Sequence, residues 1–126
     1  MPLGTNILTI KGPEYILNRI HDTGLALHRT NDISGNLWLS TYSEMYFGPY
    51  IYVLGRTSNC LTVSYKSPGG ILKPYLEALA YKYRHCFWKN EYTDPSKIDT
   101  WMGRMANGRV VEQMTEPEPM EDYLVM

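Results

Sequence analysis

Apolar and polar residues alternate along Cys60-Leu61-Thr62-Val63-Ser64-Tyr65, the two-residue period of a strand with one buried face. Ser67-Pro68-Gly69-Gly70 breaks the alternation. The period then lengthens, and Leu72, Tyr75, Leu76, Leu79 and Tyr83 fall on one stripe at helical spacing. Cys86-Phe87-Trp88, continuing to Tyr92, reads as a second strand. This strand-helix-strand unit over residues 60–92 is the organising centre of the chain.

The N-terminal part repeats the pattern. Asn6-Ile7-Leu8-Thr9-Ile10-Lys11 is a strand, and Gly12-Pro13 stops it. Pro13 is suited to be the first residue of a helix, and Glu14 suits its positive end. Ile16, Leu17 and Ile20 give that helix an apolar stripe up to about Asp22. Residues 25–29 alternate as a short strand would, 31–36 are a loop by composition, 37–39 read as a strand fragment or a loop plug, and 43–47 have no clean period. Trp38 and Phe47 are expected to cover one edge of the core. Tyr50-Ile51-Tyr52-Val53-Leu54 is rich in strand formers and should pair with residues 60–66 around the turn Thr57-Ser58-Asn59. After a break at Thr93-Asp94-Pro95-Ser96, residues 101–106 face 109–114 across Asn107-Gly108, a dipeptide that tolerates the positive φ of a tight hairpin. The order β-α-β-β-α-β predicts an α+β chain. It is that of the ferredoxin-like split βαβ, an antiparallel sheet with both helices on one face, here extended by a C-terminal hairpin. Residues 1–114 form one domain, and 115–126 an acidic, Pro-containing tail.

Composition changes this picture in two places. Tyrosine is abundant, 11 of 126 residues, and its apolar ring with a polar tip suits half-buried sheet positions and interfaces. The net charge of -1 hides an asymmetry. Residues 1–110 carry all 12 Lys and Arg against 8 Asp and Glu, about +4, while the last 16 residues carry five acids and no base. Tyr123, Leu124, Val125 and Met126 end that acidic stretch with apolar side chains. The tail is therefore a candidate to dock on its own body or on a partner, with Tyr123 and Leu124 as its contacts.

Chemistry is sparse. Cys60 and Cys86 form neither a CxxC pair nor a Cys/His cluster, so no metal site and no cofactor are expected. His21 sits at a helix end, where a cation is favoured. His85 and Cys86 are adjacent on a strand and point to opposite faces, and His28 is remote in sequence from either thiol. No nucleophile has a base and an orienting group in view, and the acids from Glu112 to Asp122 lie on a tail rather than in a fixed geometry. No catalytic residue is assigned, and a non-enzymatic protein is expected. Gly12-Pro13 and Pro68-Gly69-Gly70 match no phosphate-binding loop. Neither a signal peptide nor an apolar run of roughly 20 residues is recognisable. A cytoplasmic protein with free thiols and no membrane partner is expected.

Four segments resemble the YubB-like proteins of phages and plasmids, a ferredoxin-like family. They are Asn6-Ile7-Leu8-Thr9-Ile10-Lys11-Gly12-Pro13, Tyr46-Phe47-Gly48-Pro49-Tyr50-Ile51-Tyr52, Leu61-Thr62-Val63-Ser64-Tyr65-Lys66-Ser67-Pro68 and Arg104-Met105-Ala106-Asn107-Gly108-Arg109. Phe47-Gly48 stands where that family has Trp-Gly. The resemblance implies a fold and a mobile-element setting, without a catalytic residue. In that setting the expected activity is stoichiometric protein binding, with a host protein as partner and a host-defence inhibitor, such as an anti-CRISPR protein acting in the host cytoplasm, as the specific case. A homodimer is compatible with this reading. The alternative is a nucleic-acid-binding accessory protein, in which sheet aromatics stack bases and cations hold phosphates. The candidate surface for either is Tyr52, Arg56, Tyr65, Lys66, Trp88 and Lys89.

Overall fold

The computed structural model describes residues 3–23 and 52–117. Within them the chain is α+β, with six strands in one antiparallel sheet and two helices. The elements run β1 (Leu3–Lys11), α1 (Glu14–Thr23), β2 (Tyr52–Arg56), β3 (Cys60–Pro68), α2 (Lys73–Lys82), β4 (Phe87–Asp94), β5 (Lys97–Ala106) and β6 (Arg109–Glu112). Across the sheet the order is β2-β3-β1-β4-β5-β6. The expected contributions of residues 25–48, including Trp38 and Phe47, lie outside the described residues, as do Tyr50 and Ile51.

β1 is the spine. All nine of its residues pair with β3, from Leu3 opposite Pro68 to Lys11 opposite Cys60. On its other side it pairs with β4, from Thr5 opposite Thr93 to Lys11 opposite Phe87. Alternation then sorts the side chains. Leu8 and Ile10, Leu61, Val63 and Tyr65, Trp88 and Trp101 turn to one face and are buried there. Ile16, Leu17 and Ile20 of α1, with Tyr75, Leu76, Leu79 and Ala80 of α2, complete the same apolar cluster. Thr5, Ile7, Thr9 and Lys11, with Thr62, Ser64, Lys66, Lys89, Glu91 and Thr100, occupy the opposite, outer face.

Several boundaries differ from the sequence expectation. β1 starts at Leu3 rather than Asn6, β2 runs on to Arg56 and β6 ends at Glu112. Three further differences have an evident cause. β3 continues through Ser67 to Pro68, because Ser67 is a buried partner of Gly4 and Pro68 closes the strand where its missing N–H is tolerated. The chain then turns at Gly69 and Gly70, with φ of 78° and 132°, values open to glycine. β5 starts at Lys97 rather than near 101. The Asp94 carboxylate accepts from the backbone N–H of Ser96 and Lys97, at 2.7 and 2.9 Å, so the ladder resumes at once. α1 starts at Glu14, with the Pro13 carbonyl accepting from Ile16 and Leu17 N–H, both at 3.1 Å. Asn107 and Gly108, at φ 54° and 81°, join β5 to β6 and bring Ala106 opposite Arg109.

The buried face is not wholly apolar. Asn6, Ser67 and Asn90 are fully buried. Asn6 Nδ2 donates to Ser67 Oγ at 2.8 Å, Asn90 Nδ2 to Asn6 Oδ1 at 2.9 Å, and the Tyr65 hydroxyl to Asn90 Oδ1 at 2.6 Å. The Ser67 hydroxyl reaches the Gly70 carbonyl at 3.2 Å. These bonds join β3, β1 and β4 through side chains. The indole N–H groups of Trp88 and Trp101 are buried and find no partner among the described residues. Each costs about 1–3 kcal/mol, but burying a ring of about 150–250 Å² gains roughly 4–6 kcal/mol, so both rings still stabilise the core. The Trp101 ring lies over Gly103, where an added Cβ would stand 2.7 Å from it.

Leu76 and Leu79 are both 0% exposed. Leu76→Ala and Leu79→Ala are each expected to lower stability by about 2–5 kcal/mol in urea denaturation, because the fold cannot fully collapse into the space left.

Candidate binding face

The six residues expected to form one surface divide between both sides of the sheet. Tyr65 is 1% and Trp88 0% exposed, on the helix-covered face. Neither is available to stack a base, and this corrects the aromatic platform. The reason is register: Tyr65 is opposite Asn6, and Trp88 is opposite Ile10, in the rows that carry the core. Arg56 points to the same side, where its Nη2 donates to Asn18 Oδ1 of α1 at 2.7 Å. Tyr52, Lys66 and Lys89 do lie on the outer face. Tyr52 is 60% exposed at the sheet margin, and Lys66 donates from Nζ to the Thr5 hydroxyl. The candidate tail contacts Tyr123 and Leu124 lie outside the described residues.

What gathers on the outer face is a different set. Lys89 is opposite Thr9, and Lys11 is opposite Phe87, so the two lysines are diagonal neighbours on adjacent strands. Phe87 alternates with the core-facing Trp88 yet is fully buried, and Lys11 Nζ stands 6.0 Å from its ring centroid. Between the two ammonium groups lies Glu116. Its Oε2 is 2.8 Å from Lys11 Nζ, and its Oε1 is 2.5 Å from Lys89 Nζ. Glu91, on the same face, stands 3.7 Å from Lys89.

The chain reaches this position in a few residues. After β6, Gln113 N–H donates to the Met102 carbonyl at 3.0 Å. Its side-chain amide donates to the Thr115 carbonyl at 2.8 Å. The backbone then crosses so that the first acid of the expected tail, Glu116, meets β1 and β4. Hydrogen bonds from Lys11 and then Lys89 hold the Glu116 carboxyl below its usual range. The Glu116 carboxylate in turn raises Lys89. Sequence reasoning named Lys89 and missed Lys11 and Glu116. Alternation against Leu8 and Ile10 was the signal that puts Lys11 on this face; nothing in the sequence singles out Glu116 from the other tail acids.

No family model, curated protein or solved structure matches this chain.

The thiols and imidazoles offer less. Cys86 is buried, and burial pushes its thiol up to about 12, so it stays protonated at neutral pH. It borders a depression of about 230 Å³ lined also by Arg84, His85, Arg104 and Asn107. A protonated buried thiol is a poor nucleophile. Among the described residues, no three His, Cys, Asp or Glu side chains gather as a metal would need, and no helix is long and apolar enough to cross a membrane. At the other end of the sheet, the Asp94 carboxyl is lowered to about 2, first by the Tyr92 hydroxyl at 2.6 Å and then by Ser96. Its partners are the turn between β4 and β5, so its role is to fix that turn.

Because the folded value of Glu116 is depressed, its contribution is present above the ordinary 4.5 and is lost as pH falls through the folded value below it. Glu116→Gln is expected to lower stability at neutral pH by at most about 1 kcal/mol, less in salt. The difference from wild type should close on acidification below pH 4.5 in paired thermal melts.

Proposed function

We propose that this chain is a stoichiometric, non-enzymatic binding protein that engages a protein partner through the outer face of its sheet. The observation that carries this reading is the division of the aromatics. Base stacking on a sheet needs rings exposed on neighbouring strands, and Tyr65 and Trp88 are instead in the core. The outer face offers threonines, Ser64, Ile7 at 38% exposure and Tyr52 at 60% beside Lys11, Lys66, Lys89 and Glu91, a mixed polar and apolar surface. Tyr is enriched at such protein interfaces.

The finer architecture belongs to the same proposal. A ferredoxin-like split βαβ is supported by the order β2-β3-β1-β4, with helices following β1 and β3. A C-terminal hairpin extending it is supported by the antiparallel β5-β6 register. With the resemblance to YubB-like proteins, this reading sets the chain in a phage or plasmid and its partner in the host cytoplasm. Inhibition of a defence system such as CRISPR-Cas is the specific case. The buried, protonated Cys86 supports a role without covalent catalysis.

The test pairs capture with a defence readout. Tagged chain is expected to retain one host protein in stoichiometric amount, and an Ile7→Thr, Tyr52→Ser variant with a wild-type melt should retain at least tenfold less. Expression should also raise plaquing of a CRISPR-targeted phage, and the same variant should lose that effect. Retention of nuclease-sensitive nucleic acid in place of a protein would overturn the reading. Equal retention by the variant would remove the outer face from it.

A further inference from the structure

The Glu116 contact has the form of a ligand in a site. One carboxylate spans two strands, with a separate oxygen on each of Lys11 and Lys89. Both lysine side chains are about one-fifth exposed, at 21% and 22%, while Glu116 is the more open at 37%. The cations belong to long, fully paired central strands. The anion belongs to a segment beyond the last strand, with Gln113 as its final ladder contact. The receptor half is held in the sheet ladders, and the occupant sits three residues past the last ladder bond.

We propose that the Lys11–Lys89 pair is a docking site for a carboxylate-bearing segment of a protein partner, and that Glu116 occupies it in cis as a displaceable strap. This rests on the outer-face reading above and adds the chemistry of the partner. Two observations favour a carboxylate over a nucleic-acid backbone. The occupant in place is a carboxylate bound through both oxygens. With Tyr65 and Trp88 buried, Tyr52 is the one exposed ring on this face among the described residues, and base stacking needs rings on neighbouring strands. Phe87, buried below Lys11, gives the site an apolar floor on one side. That environment screens the charges less than open water does.

Exposed ion pairs are individually weak, so the strap is held mainly by its tether. A tethered group competes at an effective concentration near the millimolar range. An incoming segment that adds contacts to Ile7 and the neighbouring threonines can displace it. The apparent affinity for such a segment is reduced by the fraction of molecules with the site open, so removing the Glu116 charge should restore it.

The experiment titrates a fluorescein-labelled oligoglutamate peptide into the full chain at low salt, with labelled oligothymidylate as a second arm. Glu116→Gln is expected to bind oligoglutamate about three- to tenfold more tightly than wild type. Adding Lys11→Gln and Lys89→Gln should abolish that gain while the melts stay near wild type. No gain in Glu116→Gln, or a gain that survives loss of both lysines, would overturn the proposal and leave Glu116 as a structural tie. An equal or larger gain for oligothymidylate would overturn the carboxylate class. The two readings fail separately. If the lysine variants still retain the host protein and the Ile7→Thr, Tyr52→Ser variant does not, the strap falls and the outer-face reading stands. If oligoglutamate binding follows Glu116 and the lysines but no protein is retained, the reverse holds.

Discussion

The buried hydrogen bonds among Asn6, Ser67, Tyr65 and Asn90 constrain the molecule more tightly than any apolar contact. Apolar packing is non-directional, and a strand slipped along its neighbour can often bury other apolar groups. A buried amide cannot, because each unpaired group costs about 1–3 kcal/mol. Asn6 and Asn90 satisfy each other only when β1 lies between β3 and β4 in the observed register. A one-residue slip would exchange the two faces of β1. Ile7 and Lys11 would enter the core, and Leu8 and Ile10 would leave it. The polar network thus fixes which side of the sheet is interior and which is presented.

The division of labour between the faces follows from that choice. The face that takes both helices also takes Tyr65, Trp88, Tyr92 and Trp101, most of the large rings on the strands. The outer face keeps short β-branched residues and the lysines. Among the described residues Tyr52 is its one exposed ring, and it holds two cations close enough to share one carboxylate. The acidic stretch after β6 begins within reach of that pair. A mildly basic body thus meets the first acid of its tail, Glu116, on the outer face of the sheet.

Much of the architecture was legible in the sequence because it is periodic. The Leu72–Tyr75–Leu76–Leu79 stripe, the alternation in β1 and β3, and the pairing of β2 with β3 all follow from hydrophobic spacing. The extension of β3 to Pro68 was not, since the Ser67 hydroxyl is satisfied by Asn6, 61 residues away. The early start of β5 was hidden for a related reason: Asp94 organises the turn that a Pro-Ser sequence merely permits. The face of Tyr65 and Trp88 was the most consequential miss. Each was read as a surface aromatic beside a lysine, Lys66 or Lys89, although alternation places each ring and its following lysine on opposite sides. Glu116 was illegible because a long-range ion pair leaves no local pattern.

The central claim, that register places the aromatic strand residues inside and Ile7 with Tyr52 outside, is tested most directly by hydroxyl-radical footprinting of the intact chain with residue-level mass spectrometry. Tyr52, 60% exposed, is expected to be oxidised rapidly, while Tyr65, Trp88 and Tyr92, at 1%, 0% and 0%, are protected until the chain unfolds. Oxidation of Tyr65 and Trp88 at the rate of Tyr52 in the folded protein would contradict the account. It would place the aromatic face outward and return base stacking as its function.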